Sequence, residues 1–506
     1  MPVLHSSPKE RGASASDARL PPTASLFAPI VLTPVVLLVH GYHPFAGDAG
    51  IYVAGIRHLL DPSLYPLNAA FPAAFTRLSV FAWLLAAVVR LAHLRLAWLL
   101  LIAHLASVFL FLLACRQLAA RVFATEGARV CAVLLAAGCL TLPVAGTALV
   151  IMDPYVTARS FSTPLSLMAV AACLDRAWGR GAVLLLLAGA LHPLMGAYAV
   201  VFAMLCGLIT VRRTGLAVVA CGLLVAAAGV AFLLDHNAAN SPGYRQAIAL
   251  APRSFLFLAR WQWYEMLGLV LPLILFALAA LRGAEPVRIL SLTSVLVGIT
   301  SILIAALFVP TGGPWILVPF QVLRSFHLIY AVGIVLCGGV VAALAGRSRI
   351  AASSLLVVLF AGMFAAESFA WPLCERVESP WTVPANPWQQ AFLWIRDCTP
   401  QDAVFAFNPE LVYLPDEDEQ GFRAIAERDH LADDKDAGVV AVIPHLADGW
   451  ARQRNTEFDV DRMTDAQRVA TLVPLGANWL LLPPDAETAL PCLWRNRVVK
   501  VCRLAR

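Results

Sequence analysis

Apolar runs long enough to cross a bilayer recur almost without pause from Leu26 to Trp371 and then stop. They fall at about 26–42, 74–92, 96–114, 128–150, 161–175, 181–191, 194–211, 215–234, 264–281, 288–309, 318–345 and 350–371. A bilayer core takes about 20 residues of helix per crossing. The segment 74–92 is the odd one: it carries Arg77 and Arg90 and runs into Arg95 with no room for a loop. Laid along the outer surface, it leaves Arg116/Arg121/Arg129, Arg176/Arg180, Arg212/Arg213, Arg282/Arg288 and Arg347/Arg349 on one side with the N-terminal tail. The positive-inside rule prefers that arrangement. The pattern thus predicts about eleven transmembrane helices, a cytoplasmic N-terminus and an extracytoplasmic C-terminal domain. In the alternative, 74–92 crosses and the N-terminus lies outside, with the later spans unchanged.

Two segments are short. Residues 181–211 have arginines at both ends and His192-Pro193 in the middle. As one helix they would reach about 46 Å, so the pattern predicts a hairpin turning at His192-Pro193, its arms too short to cross fully. Short arms need protein or a water-filled cavity to cover their backbone, which places the turn at the floor of an outward-opening cavity. The segment 161–175 begins at Arg159-Ser-Phe-Ser-Thr-Pro164, on the same side.

Three regions follow: a disordered cytoplasmic tail at 1–25, a membrane domain at 26–371 with a first outer loop at 43–95, and a soluble α/β domain at 372–506. In the last, 386–397 and 421–428 predict helices, and 403–407, 439–443, 479–482 and 498–504 predict strands.

Composition sharpens the division. A chain that is 60% hydrophobic and 14% charged is no soluble globular protein. Of 32 acids, 11 lie in 1–371 and 21 in 372–506, against 23 and 14 basic residues. Most of the excess positive charge sits in short loops between spans, so the net +5 implies no nucleic-acid partner. Seven of the eleven cysteines lie in or beside apolar spans as packing residues. Cys374, Cys398, Cys492 and Cys502 lie in the tail, where one or two disulfides would form if that domain is outside.

Acids near a bilayer are expensive and usually functional. Asp48 follows the first span and introduces a short surface helix, Ile51–Leu60. It is either an N-cap or a carboxylate able to take a proton from an acceptor. Asp153 precedes Arg159 by six residues; the plain alternative is a helix-ending Asp-Pro turn and a snorkelling arginine. His192 either bonds a backbone carbonyl or, with Arg159 and the loop 241–260 (Arg245, Arg253, Arg260), binds a phosphate at the membrane surface. Arg324 and His327 sit early in a late span, where the arginine snorkels or meets an anion. Asp416–Glu419 and Asp433-Asp-Lys-Asp436 read as solvated turns. No nucleotide loop, metalloprotease or hydrolase motif occurs.

The layout resembles the membrane glycosyltransferases of the C superfamily (GT-C), in an uncharacterised bacterial branch. The resembling parts are Gly47-Asp48-Ala-Gly-Ile-Tyr52, the Arg159–Pro164 segment, Ala190-Leu-His192-Pro193 and Trp394–Ala403. The resemblance implies inverting transfer of a sugar from a polyprenyl-phosphate donor to a glycan, lipid or protein acceptor in the cell envelope, on the outer face of the bacterial inner membrane. It implies Asp48 as the catalytic base and Arg159, His192 and Arg324 as donor-phosphate ligands, with Asp153, Asp61, Tyr52 and His327 as further candidates. Active members often carry paired acids in this loop. Here Ala49 and Gly50 follow Asp48, and Asp61 is the only other acid. No metal ligand is assigned, no cofactor is fixed, and a divalent cation stays open. The rival readings are a non-catalytic component of envelope or polysaccharide assembly on the same scaffold, and a transporter.

Overall fold

The computed structural model describes residues 22–234, 241–250, 254–414 and 417–504. Most of the expected N-terminal tail, and with it Asp235, Arg253 and Asp416, lies outside the described residues. The chain is a polytopic helical membrane protein with a small sheet domain at its C-terminal end.

Seven described helices are long and apolar enough to cross a membrane: Leu96–Val122, Pro193–Thr210, Thr214–Leu234, Trp263–Arg282, Glu285–Phe308, Val318–Arg347 with its leading 3-10 turns, and Arg349–Ala370. Leu26–His40, Ala158–Leu174 and Trp178–Leu191 are apolar but shorter. The segment around 74–92 breaks at Ser79-Val80 into Ala70–Leu78 and Phe81–Ala92, bent by 99°. Its arms reach about 14 and 18 Å, so neither alone crosses a core of about 30 Å.

The predicted hairpin at His192-Pro193 forms. Gly189 and Gly196, equidistant from the turn, touch so closely that a Cβ on Gly196 would come 2.4 Å from the Gly189 Cα, and Trp178 packs on Gly207 in the same register. The arms are unequal, however. Trp178–Leu191 is short, whereas Pro193–Thr210 has 18 residues and reaches spanning length, because proline opens that helix at a position needing no N–H.

A second difference lies at 128–150, expected as one span. The helix there is only Glu126–Gly138. Residues 139–152 then double back, with Val144 N–H donating to Leu149 O at 2.8 Å and Met152 N–H to Leu140 O at 2.7 Å. This loop is buried in protein, where its polar backbone is satisfied locally. His40 fastens it through Thr141 Oγ1 at 2.7 Å. The apolar run was real, but it fills a core.

The C-terminal domain is a five-stranded sheet, ordered β2-β1-β3-β5-β4. Its strands are β1 (Val404–Ala406), β2 (Asp429–His430), β3 (Trp479–Leu482), β4 (Cys492–Arg495) and β5 (Lys500–Arg503). The first three in this order are parallel, β5 runs antiparallel to β3, and β4 runs antiparallel to β5. A disulfide joins Cys492 and Cys502 across β4 and β5. Helix Pro387–Cys398 and strands β1, β3 and β5 lie where the sequence places them. Residues 439–443 do not form a strand: Ala437–Val440 is a turn of helix. Its valines are buried beside Tyr244 and Trp450, so packing overrides their β propensity. Helices Ala447–Glu457 and Asp465–Leu472 were not anticipated.

The domain grips the first outer loop. Asp429 accepts from the backbone N–H of Leu67 and Asn68 at 2.7 and 2.8 Å, and Tyr65 Oη donates to Arg423 O at 2.8 Å. Gly50 and Gly421 meet backbone to backbone, since a Cβ on Gly421 would lie 2.6 Å from the Gly50 Cα. The loop bearing Asp48 is therefore held from both sides.

Candidate functional site

A cavity of about 410 Å³ lies where the membrane helices meet the sheet domain. Asp48, Tyr52, Arg159, His192 and Arg324 all line it, together with Lys435 from the sheet domain. Their positions follow from local folding.

Gly47 has φ +54°, and a Cβ there would sit 2.4 Å from the Tyr155 hydroxyl, so only glycine lets the chain pass at this point. Next to it, Asp48 starts helix Ala49–Leu60 through its backbone carbonyl, which accepts from Ile51 and Tyr52 N–H at 3.1 and 3.3 Å. Its side chain makes no capping bond. The N-cap reading therefore applies to the backbone alone, and the half-buried carboxylate lies 3.6 Å from Lys435 Nζ. Tyr52, one turn on, stacks on Phe75 at 5.5 Å.

Arg159 sits in the first turn of Ala158–Leu174, where Ser160 Oγ accepts from Thr157 N–H at 3.0 Å. It is buried, and its Nη2 donates to both oxygens of Asp153 at 2.7 and 2.6 Å. Its Nε has no hydrogen-bond partner among the described residues. Asp153 thus stands behind the arginine and aims it. His192 closes the hairpin: its Nδ1 accepts from Met195 N–H at 3.4 Å. That bond leaves the proton on Nε2. The plain backbone role is real, and it fixes the tautomer of a residue on the cavity wall. Arg324 lies in the 3-10 turn Val322–Ser325, after Gln321 at φ +46°. Its guanidinium lies 4.9 Å from the Phe255 ring centroid.

Two candidates lie elsewhere. Asp61 ends the Ala49–Leu60 helix and accepts from Ser63 N–H at 3.0 Å and from Gln401 Nε2 at 2.9 Å. Bonds from Ser63 hold its carboxyl below the usual range. His327 does not line the large cavity; it bonds Ile151 O at 2.9 Å and ties the 139–152 loop to the Phe326–Arg347 helix. Among the described residues of the 241–260 loop, Phe255 and Leu256 line the cavity, while Arg245 and Arg260 do not.

Lys435 is what sequence reasoning missed. It lies within Asp433-Asp-Lys-Asp436, read above as a solvated turn, yet all three acids are buried. Asp436 pairs with Arg423 at 2.9 Å and Asp434 with Arg454 at 2.9 Å, which leaves Lys435 projecting between Asp48 and Glu419, 3.8 Å from the latter. Glu417, in the other expected turn, is fully buried. The available signal was composition: the chain has only three lysines, and this one stands among acids.

No known family model and no curated protein matches the chain. Among solved structures, it is similar to the archaeal oligosaccharyltransferase AglB from Archaeoglobus fulgidus in complex with an inhibitory peptide and a dolichol-phosphate. The TM-score is 0.49 at 11% identity, over 91% of this chain and 69% of that one. It is also similar to the Archaeoglobus fulgidus oligosaccharyltransferase tethered to an acceptor peptide containing the NVT sequon (TM-score 0.47, 11% identity, 91% and 69% covered). The apo form of that enzyme gives a TM-score of 0.46 at 11% identity over 90% and 69%. A likeness of this degree leaves function to be read from the residues of the cavity itself.

Proposed function

We propose that this protein transfers a sugar from a polyprenyl-phosphate carrier to an envelope acceptor, a glycan, lipid or protein, at the outer face of a bacterial inner membrane. The observation that carries this reading is one cavity lined by the Asp48 carboxylate and two guanidinium groups, between apolar helices and a polar domain. The helices offer a surface for the lipid tail. Arg159, Arg324 and the Nε2–H of His192 supply cationic and neutral donors suited to a phosphate.

The chemistry needs no protein nucleophile. Asp48 takes the proton from the acceptor heteroatom as that atom bonds to the anomeric carbon. The bond from that carbon to the phosphate oxygen breaks, and the phosphate leaves with the electron pair. Arg159 and Arg324 then hold a group whose charge has grown, which is where preorganised donors accelerate most. Attack opposite the leaving phosphate inverts the anomeric centre. Lys435, 3.6 Å from Asp48, offers a further cation to the departing phosphate.

Among the described residues, each carboxylate that lines the cavity faces a cationic side chain. These carboxylates are Asp48, facing Lys435 at 3.6 Å, and Asp434, held by Arg454 at 2.9 Å. No step is routed through a metal there.

With membrane vesicles and a polyprenyl-phosphate sugar, Asp48→Asn should lower transfer about 10²–10⁴-fold while leaving folding intact, since the side chain makes no capping bond. Wild-type transfer by this variant refutes the assignment. One observation favours a second reading, a non-catalytic assembly component: the carboxylate that would act as base is already paired with Lys435. Donor binding without turnover, in wild type and Asp48→Asn alike, would establish it.

A further inference from the structure

The start of the first outer loop and the segment after the last long helix run side by side. Tyr42 N–H donates to Arg376 O, and Glu378 N–H donates to Tyr42 O, both at 2.9 Å. This parallel pairing sets Tyr42 against Val377, and its register puts His43 beside Glu378. His43 Nδ1, Cys374 Sγ and a Glu378 carboxylate oxygen lie within 4.8 Å of one another. His43 and Glu378 are buried, and Cys374 is half-buried.

The imidazole is held in place. It stacks on Trp371 with centroids 4.5 Å apart. On its other edge, a Cβ on Gly41, at φ +79°, would lie 2.9 Å from Nε2. That edge abuts the backbone, so Nδ1 is the nitrogen turned to the other two groups, 2.8 Å from Glu378 Oε1.

The sulfur has unusual company. Gln420 Nε2, Asn386 Nδ2 and Gln389 Nε2 donate to Cys374 Sγ at 3.4, 3.7 and 4.0 Å. Gln389 also donates to Glu378 Oε2 at 2.8 Å. Three amide donors turned on one sulfur support a thiolate, and a shared amide orienting both sulfur and carboxylate is the outer-shell pattern of metal ligands. Without a cation, burial and the carboxylates of Glu378 and Asp418 hold the proton on the thiol. A dication at the centre reverses that balance.

We propose that His43, Cys374 and Glu378 form a binding site for a zinc-type divalent cation, taken through Nδ1, thiolate and carboxylate with a fourth position left for another ligand. A mixed nitrogen, sulfur and oxygen set suits such a metal and discriminates against magnesium. Binding releases the thiol proton. The site lies outside the cavity and does not depend on the transfer reaction. Its consequence reaches the cavity nonetheless. His43 N–H donates to Pro154 O at 2.8 Å, next to Asp153, and Asp48 lies five residues further along the same loop. One cation would therefore clasp the Asp48 loop, the Asp153 loop and the base of the sheet domain together.

The test uses the full chain in detergent, stripped by a chelator and titrated with Co²⁺. The expected result is about one Co²⁺ per chain with a thiolate-to-cobalt charge-transfer band in the near ultraviolet. The band should be lost in Cys374→Ser and kept in Cys398→Ser, whose cysteine is exposed. A second measurement needs no variant: adding Zn²⁺ to stripped wild type should raise the thermal midpoint in a concentration-dependent way. Mg²⁺ should not. A wild type without the band, a band that survives Cys374→Ser, or a thermal shift that Mg²⁺ reproduces would overturn the proposal.

Discussion

Asp153→Asn isolates the ion pair that aims Arg159. Both partners are buried, at 4% and 5% exposure, and one guanidinium nitrogen serves both carboxylate oxygens. Removing one member of a buried pair leaves an uncompensated charge and typically costs about 3–5 kcal/mol. The asparagine keeps the shape and one neutral acceptor, and Arg159 also borders a cavity that water can enter. The lower bound applies, about 3 kcal/mol, or roughly a hundredfold in the folding equilibrium at about 1.4 kcal/mol per decade. Unfolding by SDS in mixed micelles reads this difference. Asp153→Asn/Arg159→Gln should recover most of it, because no isolated charge remains. If Asp153→Asn falls within about 0.5 kcal/mol of wild type, or if the two substitutions simply add, Asp153 is not what holds Arg159.

The sheet domain should show its own pH dependence. Glu457 is fully buried; one oxygen accepts from Phe407 N–H at 3.3 Å, and the other has no partner among the described residues. Burial, reinforced by Asp433 and Asp436, pushes its carboxyl well above the usual range, partly opposed by Arg423. The folded state therefore holds a proton that the unfolded state releases. Stability is fully present below the ordinary carboxylate range and falls as pH rises through the folded value. Glu457→Gln should flatten the thermal midpoint between about pH 5 and 8 and raise it at the upper end; an unchanged slope refutes this. For topology, reporter fusions after Arg213 and after Arg349 should register cytoplasmic, and those after Pro372 or within 241–250 periplasmic. A cytoplasmic signal after Pro372 would reverse the proposed orientation.

The sequence exposed what depends on composition and punctuation. Apolar length disclosed the long spans, His192-Pro193 disclosed the hairpin, and the two arginines within 74–92 flagged a segment that breaks at Ser79-Val80. Periodicity alone could not separate a lipid-facing run from a core-filling one, and residues 139–150 fell on that ambiguity: the same apolar side chains suit both, and the difference is what covers the backbone. At the cavity, Asp48, Arg159, His192 and Arg324 were legible because polar groups near apolar runs are rare. Asp153 stood out only by its place six residues before Arg159, and its hold on that guanidinium emerged from the structure. Lys435 beside Asp48, and His43 beside Cys374 and Glu378, were hidden because the two sides of each contact lie hundreds of residues apart in the chain. Asp433-Asp-Lys-Asp436 misled for a different reason: its arginine partners, Arg423 and Arg454, flank it in sequence without any spacing that marks them as such.

The central claim is that Asp48 performs chemistry beside a phosphate held by Arg159 and Arg324. Binding of a polyprenyl phosphate to the purified chain, measured by native mass spectrometry beside sugar transfer by the same samples, separates the two roles. Arg324→Gln should weaken binding about tenfold or more, as expected for losing a charge-assisted contact of about 1.5–3 kcal/mol. Asp48→Asn should bind as tightly as wild type, or more tightly with a negative charge removed, and yet fail to transfer. Transfer at the wild-type rate by Asp48→Asn, or binding indifferent to Arg324, would contradict the account.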